Sequence, residues 1–378
     1  MLFESIGPKS GAPIGGPVSY RDGVHIESAE GQSLWCDAER QRELCFFASA
    51  AGLSQLRLSD ALLCSERSWR LYAELLAASD RVAGKPPSLL LSPPGRPFQL
   101  GAARLELFPS GQLPGAAGLW LRTSRGTEIV YAGAPNPTPR TTVEAMQVRA
   151  AETLIVHAPL ALQDRALPSR DEALRALAAE LSAGTAERAI CIVLCSALST
   201  APELVHALRT EPLFASLAPR PPLFAHSQIL RVCAAYRRVG ALPDHLPADA
   251  PTLRRYGGPL PAGGVVLWPL SAGAGTLSSV IKSAPAASPI RVILCSGAAL
   301  LPGFAGRLSA GLAEKSLHLH TTVPFPDALD RPGLLRYVRD SGCRRVFLTA
   351  GCSEELAAAL APIAGFPLGP PSQLRLFD

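Results

Sequence analysis

The chain has 378 residues, 48% of them hydrophobic and 18% charged, with 36 basic side chains against 31 acidic ones and a formal net charge of +5. That length predicts two or three domains, and the composition excludes a disordered tail because there is ample apolar surface to bury. Lysine occurs only at Lys9, Lys85, Lys282 and Lys315, so the arginine surplus of a chain this rich in Ala and Pro reflects a GC-rich coding sequence more simply than a role, and a polyanion partner would require the charge to be gathered on one face.

The N-terminal "MLFESIGPKSGAPIGG" has no charged segment followed by an apolar one, and no apolar run reaches the roughly 18 residues of a membrane span. The nine cysteines are dispersed without a Cys-x-x-Cys pair. Several sit in apolar runs such as "AICIVLCSA" and "RVILCSG", where a reduced thiol acts as a small core group. The expectation is a soluble, reducing, cytoplasmic protein with no membrane association.

The first part of the chain reads as β-rich. "GVHIESAEGQSLWCDAE" predicts a hairpin and "LCFFASA" a buried strand. "SERSWRLYAELLAASDRVA" predicts a helix with Trp69, Leu71, Leu75 and Leu76 on one face. "ARLELFPSGQLPGAAGLWLRTSRGTEIVYAGAP" predicts three strands, the first two joined by a glycine-proline loop and the last two by a turn at Arg125-Gly126. "ETLIVHAPL" is a further strand ending in a loop.

The middle changes to an α/β pattern. "SRDEALRALAAELSAG" opens on a Ser-x-x-Glu cap and ends on Gly, a helix, and "RAICIVLCSA" is the continuous apolar run of a parallel strand buried on both faces. Helix and strand then alternate through "APELVHALRTEPLFASL", "PPLFAHS", "SQILRVCAAYRRVG", "GGVVLWPLSAGAGTLSSVI" and "IRVILCSG". The tail "RPGLLRYVRDSGCRRVFLTAGCSEELAAALAPIAG" predicts helix, strand, loop and helix.

Read in order, these stretches resemble the metallo-β-lactamase-fold nucleases that carry an inserted β-CASP domain, most closely the bacterial ligase-associated DNA exonucleases, which are similar to mRNA 3′-end processing factors. In that family a strand ends in Ser-His-x-His-x-Asp-His; "CFFASAAGLS" has the strand and loop length, with Ser49, Ala51, Leu53 and Ser54 at the ligand positions. "PSGQLPGAA" is similar to the family's Pro-Ala-Gly-His loop, with Gln112 in place of the histidine. "YAGAP" puts Ala134 where the family has a metal-bridging Asp, and "ETLIVHA" offers His157 at the next strand end. "FAHSQILRVCAAYRRVGALP", with His226, Tyr236 and Gly240, resembles part of the inserted domain. "PDALDRPGLL" keeps Asp327 and Asp330 of Ser-Asp-His-Ala-Asp but has Ala328 for its histidine, and "LTAG" gives Ala350 for the last ligand.

The resemblance implies an α/β fold: a metallo-β-lactamase αββα sandwich formed by residues 1–164 and 326–378, with a β-CASP-like α/β domain inserted at 165–325. It also implies that the parent chemistry is gone. Two metal ions about 3.5–4 Å apart generate the hydroxide and clamp the phosphodiester, and Ser, Ala, Leu and Gln cannot replace imidazole and carboxylate ligands. The expected protein is a pseudoenzyme with no metal or cofactor, a structural or nucleic-acid-binding partner for DNA or RNA, paired with an active nuclease paralogue, a ligase or a helicase. The family offers a parallel in the silent subunit of the pre-mRNA cleavage factor. The expected place for nucleic acid or a regulatory ligand is the cleft between the domains. The alternative is an active phosphodiesterase with a rebuilt, metal-poor site around His157, Asp327 and Asp330.

Other groups stay open. His318 and His320 in "HLH" are either a metal pair or two imidazoles sharing a strand face. His157 is either a structural or a site histidine, and His226 either faces the cleft as a phosphate contact or does not. Asp330 either pairs with Asp327 as an acid site or caps the helix that starts near Pro332. "LSAGAGTLSS" is a weak phosphate-nest candidate without the Gly-Lys-Thr/Ser ending of a P-loop. The arginines of "CRRVF", "AYRRVG" and "TLRRYGG" either line a nucleic-acid groove or form solvated faces.

Overall fold

The computed structural model describes residues 18–20, 22–27, 33–38, 40–50, 59–77, 87–215, 217, 221–243, 252–272, 277–285 and 288–368. It divides into two compact units: unit 1 comprises Met1–Pro137, Glu144–Asp164 and Leu329–Asp378, and unit 2 comprises Thr138–Val143 and Arg165–Ala328. The fold is mixed α/β, and among the described residues no helix is long and apolar enough to cross a membrane.

Among the described residues, unit 1 contains two sheets. The first runs in sequence order through β1 (Val18–Tyr20), β2 (Val24–Glu27), β3 (Ser33–Cys36), β4 (Arg42–Phe46), β5 (Ser59–Cys64) and β6 (Ser88–Leu91). It is antiparallel as far as β3 and parallel from there on. The second takes β7 (Phe98–Leu100), β8 (Ala103–Pro109), β9 (Ala117–Arg122), β10 (Glu128–Tyr131) and β11 (Thr153–Val156), and then β18 (Arg345–Leu348) and β19 (Ala364–Pro367) from the end of the chain. Strands β10, β11, β18 and β19 are mutually parallel.

Period-two alternation makes these sheets a sandwich. In β8, Ala103, Leu105 and Leu107 point into a core shared with Val24, Ile26, Leu34 and Phe46 of the first sheet, while Arg104 is exposed. The other face of the second sheet, through Val130, Leu154, Val156 and Val346, packs with Leu334 and Val338 of α8 (Arg331–Ser341) and Leu356 and Leu360 of α9 (Glu354–Leu360). Helix α1 (Glu66–Ala77) buries Ser68, Leu71 and Tyr72, a three-four spacing. The expected stripe is therefore rotated: Leu75 and Leu76 are half-buried and the Trp69 ring lies tilted against that of Tyr72, with centroids 5.3 Å apart.

Unit 2 is a parallel sheet. Its strands are β12 (Ile190–Cys195), β13 (Leu223–Ala225), β14 (Leu253–Arg255), β15 (Val265–Pro269), β16 (Ile290–Cys295) and β17 (Leu319–Val323), in spatial order β14-β13-β15-β12-β16-β17. Every residue of β12 is buried, as a strand flanked on both sides by parallel neighbours and covered on both faces requires. Helix α2 (Arg170–Ala186) starts with the expected capping box of Ser169 and Glu172, but Gly184 does not end it. A Cβ there would stand 2.2 Å from Cys191 Sγ, so this glycine lets helix and strand approach. The predicted helix at 201–217 is two, α3 (Thr200–Thr210) and α4 (Pro212–Ala215), because Pro212 interrupts the backbone ladder. The fully buried Glu203 of α3 accepts from Arg170 Nε at 2.7 Å and Thr142 Oγ1 at 3.1 Å, which fastens residues 138–143 into unit 2.

Candidate functional site

A cavity of about 360 Å³ lies within unit 1 where strands of both sheets end. Asp37 follows β3, Ser49 follows β4, Gln112 lies between β8 and β9, Ala134 follows β10, His157 follows β11 and Thr349 follows β18; all six line it. The loops are extensions of the strand ladders. Ala132 N–H donates to Ile155 O at 2.8 Å, His157 N–H to Gly133 O at 2.7 Å and Thr349 N–H to Val156 O at 3.1 Å. Between β8 and β9 the turn is closed by Ser110 N–H to Ala116 O and pinned by Asn136 N–H to Ser110 O, both 2.9 Å. Gly111, at φ +74°, leaves no room for a side chain, since a Cβ would sit 2.2 Å from Asn136 O.

At the cavity wall Asp37 adopts a left-handed backbone, φ 46°, a conformation that Asp and Asn tolerate better than most residues. Its carboxylate accepts from Ala48 N–H at 3.1 Å and from Tyr131 Oη at 2.7 Å. Both donors are neutral. Burial pushes the Asp37 pKa above its ordinary value, with the two hydrogen bonds opposing that shift, and burial followed by the Asp37 charge pushes the Tyr131 phenol well above its own. The Cys36 and Cys45 thiols nearby are also pushed up, chiefly by burial.

His157 stands open to solvent on one side, with Nδ1 3.0 Å from Thr349 Oγ1. Protein crowding around the rest of the ring lowers its pKa below 6.5, so the imidazole is mostly neutral at pH 7.

The other expected site residues are placed elsewhere. Asp327 lies in unit 2, held by Thr200 Oγ1 at 2.8 Å, Ser296 Oγ at 3.1 Å and Gly297 N–H at 3.0 Å. Burial raises its pKa against those bonds and the Arg140 charge. Asp330 caps α8 through Gly333 N–H at 2.8 Å. Asp330 belongs to unit 1 and is not among the described lining residues of its cavity. Ala328 belongs to unit 2 and Ala350 follows Thr349 without lining the cavity; Ala51, Leu53 and Ser54 fall outside the described residues, as does the centre of the glycine-rich stretch, 273–276.

His226 caps α5 (Ser227–Arg238), its Nδ1 accepting from Gln228 N–H at 3.2 Å, and its ring meets Trp268 with centroids 4.6 Å apart. Its pKa is lowered by burial first and then by Arg231 and Arg255. His318 and His320 sit two residues apart at β17, and His320 engages the Arg291 guanidinium, with Glu180 Oε2 3.9 Å away. Of the "CRRVF" arginines, Arg345 pairs with Glu152 at 3.4 Å.

No protein family and no curated protein matches the chain. Among solved structures it is similar to a crystal structure of a protein of unknown function from Enterococcus faecalis V583. The two superpose with a TM-score of 0.53 at 14% identity, covering 87% of this chain and 79% of that one. That likeness shows a shared fold.

The described donors of the cavity do not fit a pair of metal ions. One carboxylate, engaged with two donors, one imidazole, 3.0 Å from Thr349 Oγ1, and the buried Cys36 thiol share the lining with hydroxyl, amide and methyl groups at Ser49, Gln112 and Ala134. Among the described residues no group of three or more His, Cys, Asp or Glu side chains is arranged to hold a metal. A dinuclear centre needs several convergent imidazole and carboxylate ligands. Asp37, Tyr131 and Thr349 were not singled out from sequence. The available signal was an Asp directly after the apolar "LWC", which the hairpin reading absorbed.

Proposed function

We propose that this chain is a catalytically silent member of the metallo-β-lactamase/β-CASP nuclease family, serving as a structural or nucleic-acid-binding partner subunit. One observation carries the reading: Ser49, Gln112 and Ala134, positions the family motifs assign to metal ligands in three separate stretches, line a single cavity together with His157. A two-sheet sandwich with flanking helices, interrupted by a parallel α/β unit, is also the arrangement the family implies. Ser, Gln and Ala at those positions cannot supply the ligands with which a metal pair generates hydroxide and clamps a phosphodiester.

A nucleic-acid contact finds support in unit 2. Arg231 and Arg255 both act on His226, and both side chains are exposed, as is that of the adjacent Arg254. Exposed arginines grouped in this way suit phosphate contact. The test is incubation of the full chain with labelled single-stranded and duplex DNA and RNA in zinc and manganese. The reading expects salt-sensitive binding without cleavage; hydrolysis that disappears on His157→Ala would favour a rebuilt active site, and no binding even at low salt would reduce the role to protein contacts.

A further inference from the structure

We propose that the cavity of unit 1 binds a small organic cation, a primary or methylated alkylammonium group, seated between the Asp37 carboxylate and the rings of Tyr20 and Tyr131. The inference rests on the reading of that cavity as a vacated metal site and names what it takes instead. Asp37 is the one acidic side chain among the described lining residues, and no Arg or Lys is among them. Its contacts, Ala48 N–H and Tyr131 Oη, bring no positive charge. A phosphate or carboxylate entering this space would meet a like charge with no cation among the described lining residues to offset it, whereas an ammonium supplies a counter-charge.

The remaining walls suit the same ligand. Tyr20 and Tyr131 contribute two aromatic rings, which attract cations through their faces. Ser49, Gln112 and Thr349 offer oxygen acceptors for ammonium N–H groups. His157, with its pKa lowered by crowding, adds no positive charge near neutral pH. Ala48, Ala134 and Val24 give apolar surface for an alkyl chain, and the volume falls in the range of about 300–1,000 Å³ usual for small-molecule sites. The groups that titrate around Asp37 are Cys36, Cys45 and Tyr131, all shifted upward and neutral near pH 7.

The test is isothermal titration of the full chain near neutral pH with propylammonium chloride, choline chloride, inorganic phosphate and zinc chloride in separate arms. Saturable binding of an ammonium probe is expected, weakened about tenfold or more by Asp37→Asn, which keeps the shape of the side chain. Ala134→Leu, which adds three carbons to the cavity wall and leaves the Asp37 carboxylate in place, should also weaken it, and serves if the Asp37 variant does not fold. No saturation by either ammonium probe into the tens of millimolar, or binding indifferent to both substitutions, overturns the inference. Tight zinc binding lost on Asp37→Asn overturns the reading of a vacated metal site as well; absence of both zinc and ammonium binding overturns only the cation proposal.

Discussion

Tyr131 Oη donates to Asp37 Oδ2 across 2.7 Å, joining the end of β10 in one sheet of unit 1 to the end of β3 in the other. The bond lies in the cavity wall, so it both ties the sandwich together and sets the charge of the site. Tyr131→Phe removes the donor and leaves a buried carboxylate with one partner. The expected cost is about 1.5–3 kcal/mol at neutral pH, read as a lower urea midpoint with an unchanged denaturant slope.

Asp37 also shapes the pH dependence of stability. Its folded pKa lies above the ordinary 3.8, so the folded state holds the proton more tightly than the unfolded chain. Its contribution is most favourable below 3.8 and declines as the pH rises through the folded value. Asp37→Asn can still accept from Ala48 N–H and can donate to Tyr131 Oη, and it suits a left-handed backbone. The variant should therefore equal or exceed the parent in stability at neutral pH and lose the decline over that window. Urea denaturation across a pH series checks this; a variant that is less stable at neutral pH with the slope retained would contradict it.

Asp327 in unit 2 predicts the opposite behaviour on truncation. Asp327→Ala leaves Thr200, Ser296 and Gly297 as buried donors without their acceptor. The loss should reach about 3 kcal/mol. A near-neutral result in chemical denaturation would mean that water fills the space.

The basic surface of unit 2 has its own signature. Arg254→Glu together with Arg255→Glu should weaken oligonucleotide binding and flatten its dependence on salt, by about 0.7–0.9 in log–log slope for each phosphate that is no longer neutralised. Fluorescence anisotropy at several salt concentrations measures both. An unchanged slope would remove these arginines from any interface.

Much of the fold was legible in sequence. The alternation in "ARLELF", the fully apolar "ICIVLC" and the Ser169 capping box each specify one local structure, and Asp330 before Arg-Pro-Gly was readable as a cap. The misreadings have physical causes. Gly184 looks like a helix terminator until its contact with Cys191 is known, and residues 201–217 look like one helix until Pro212 interrupts it. The cavity itself was half legible. Motif order gave Ser49, Gln112, Ala134 and His157, but the importance of Asp37 depends on a tyrosine 94 residues away in the chain and on the neutral character of both its donors, neither of which has a local signal.

The most direct test of the central claim is the metal content of untagged protein, measured by mass spectrometry after incubation with zinc and manganese and desalting. The account predicts near-zero metal per chain, in the parent and in His157→Ala alike. One or two tightly held ions per chain, reduced by His157→Ala or Asp37→Asn, would contradict it and return this cavity to metal chemistry.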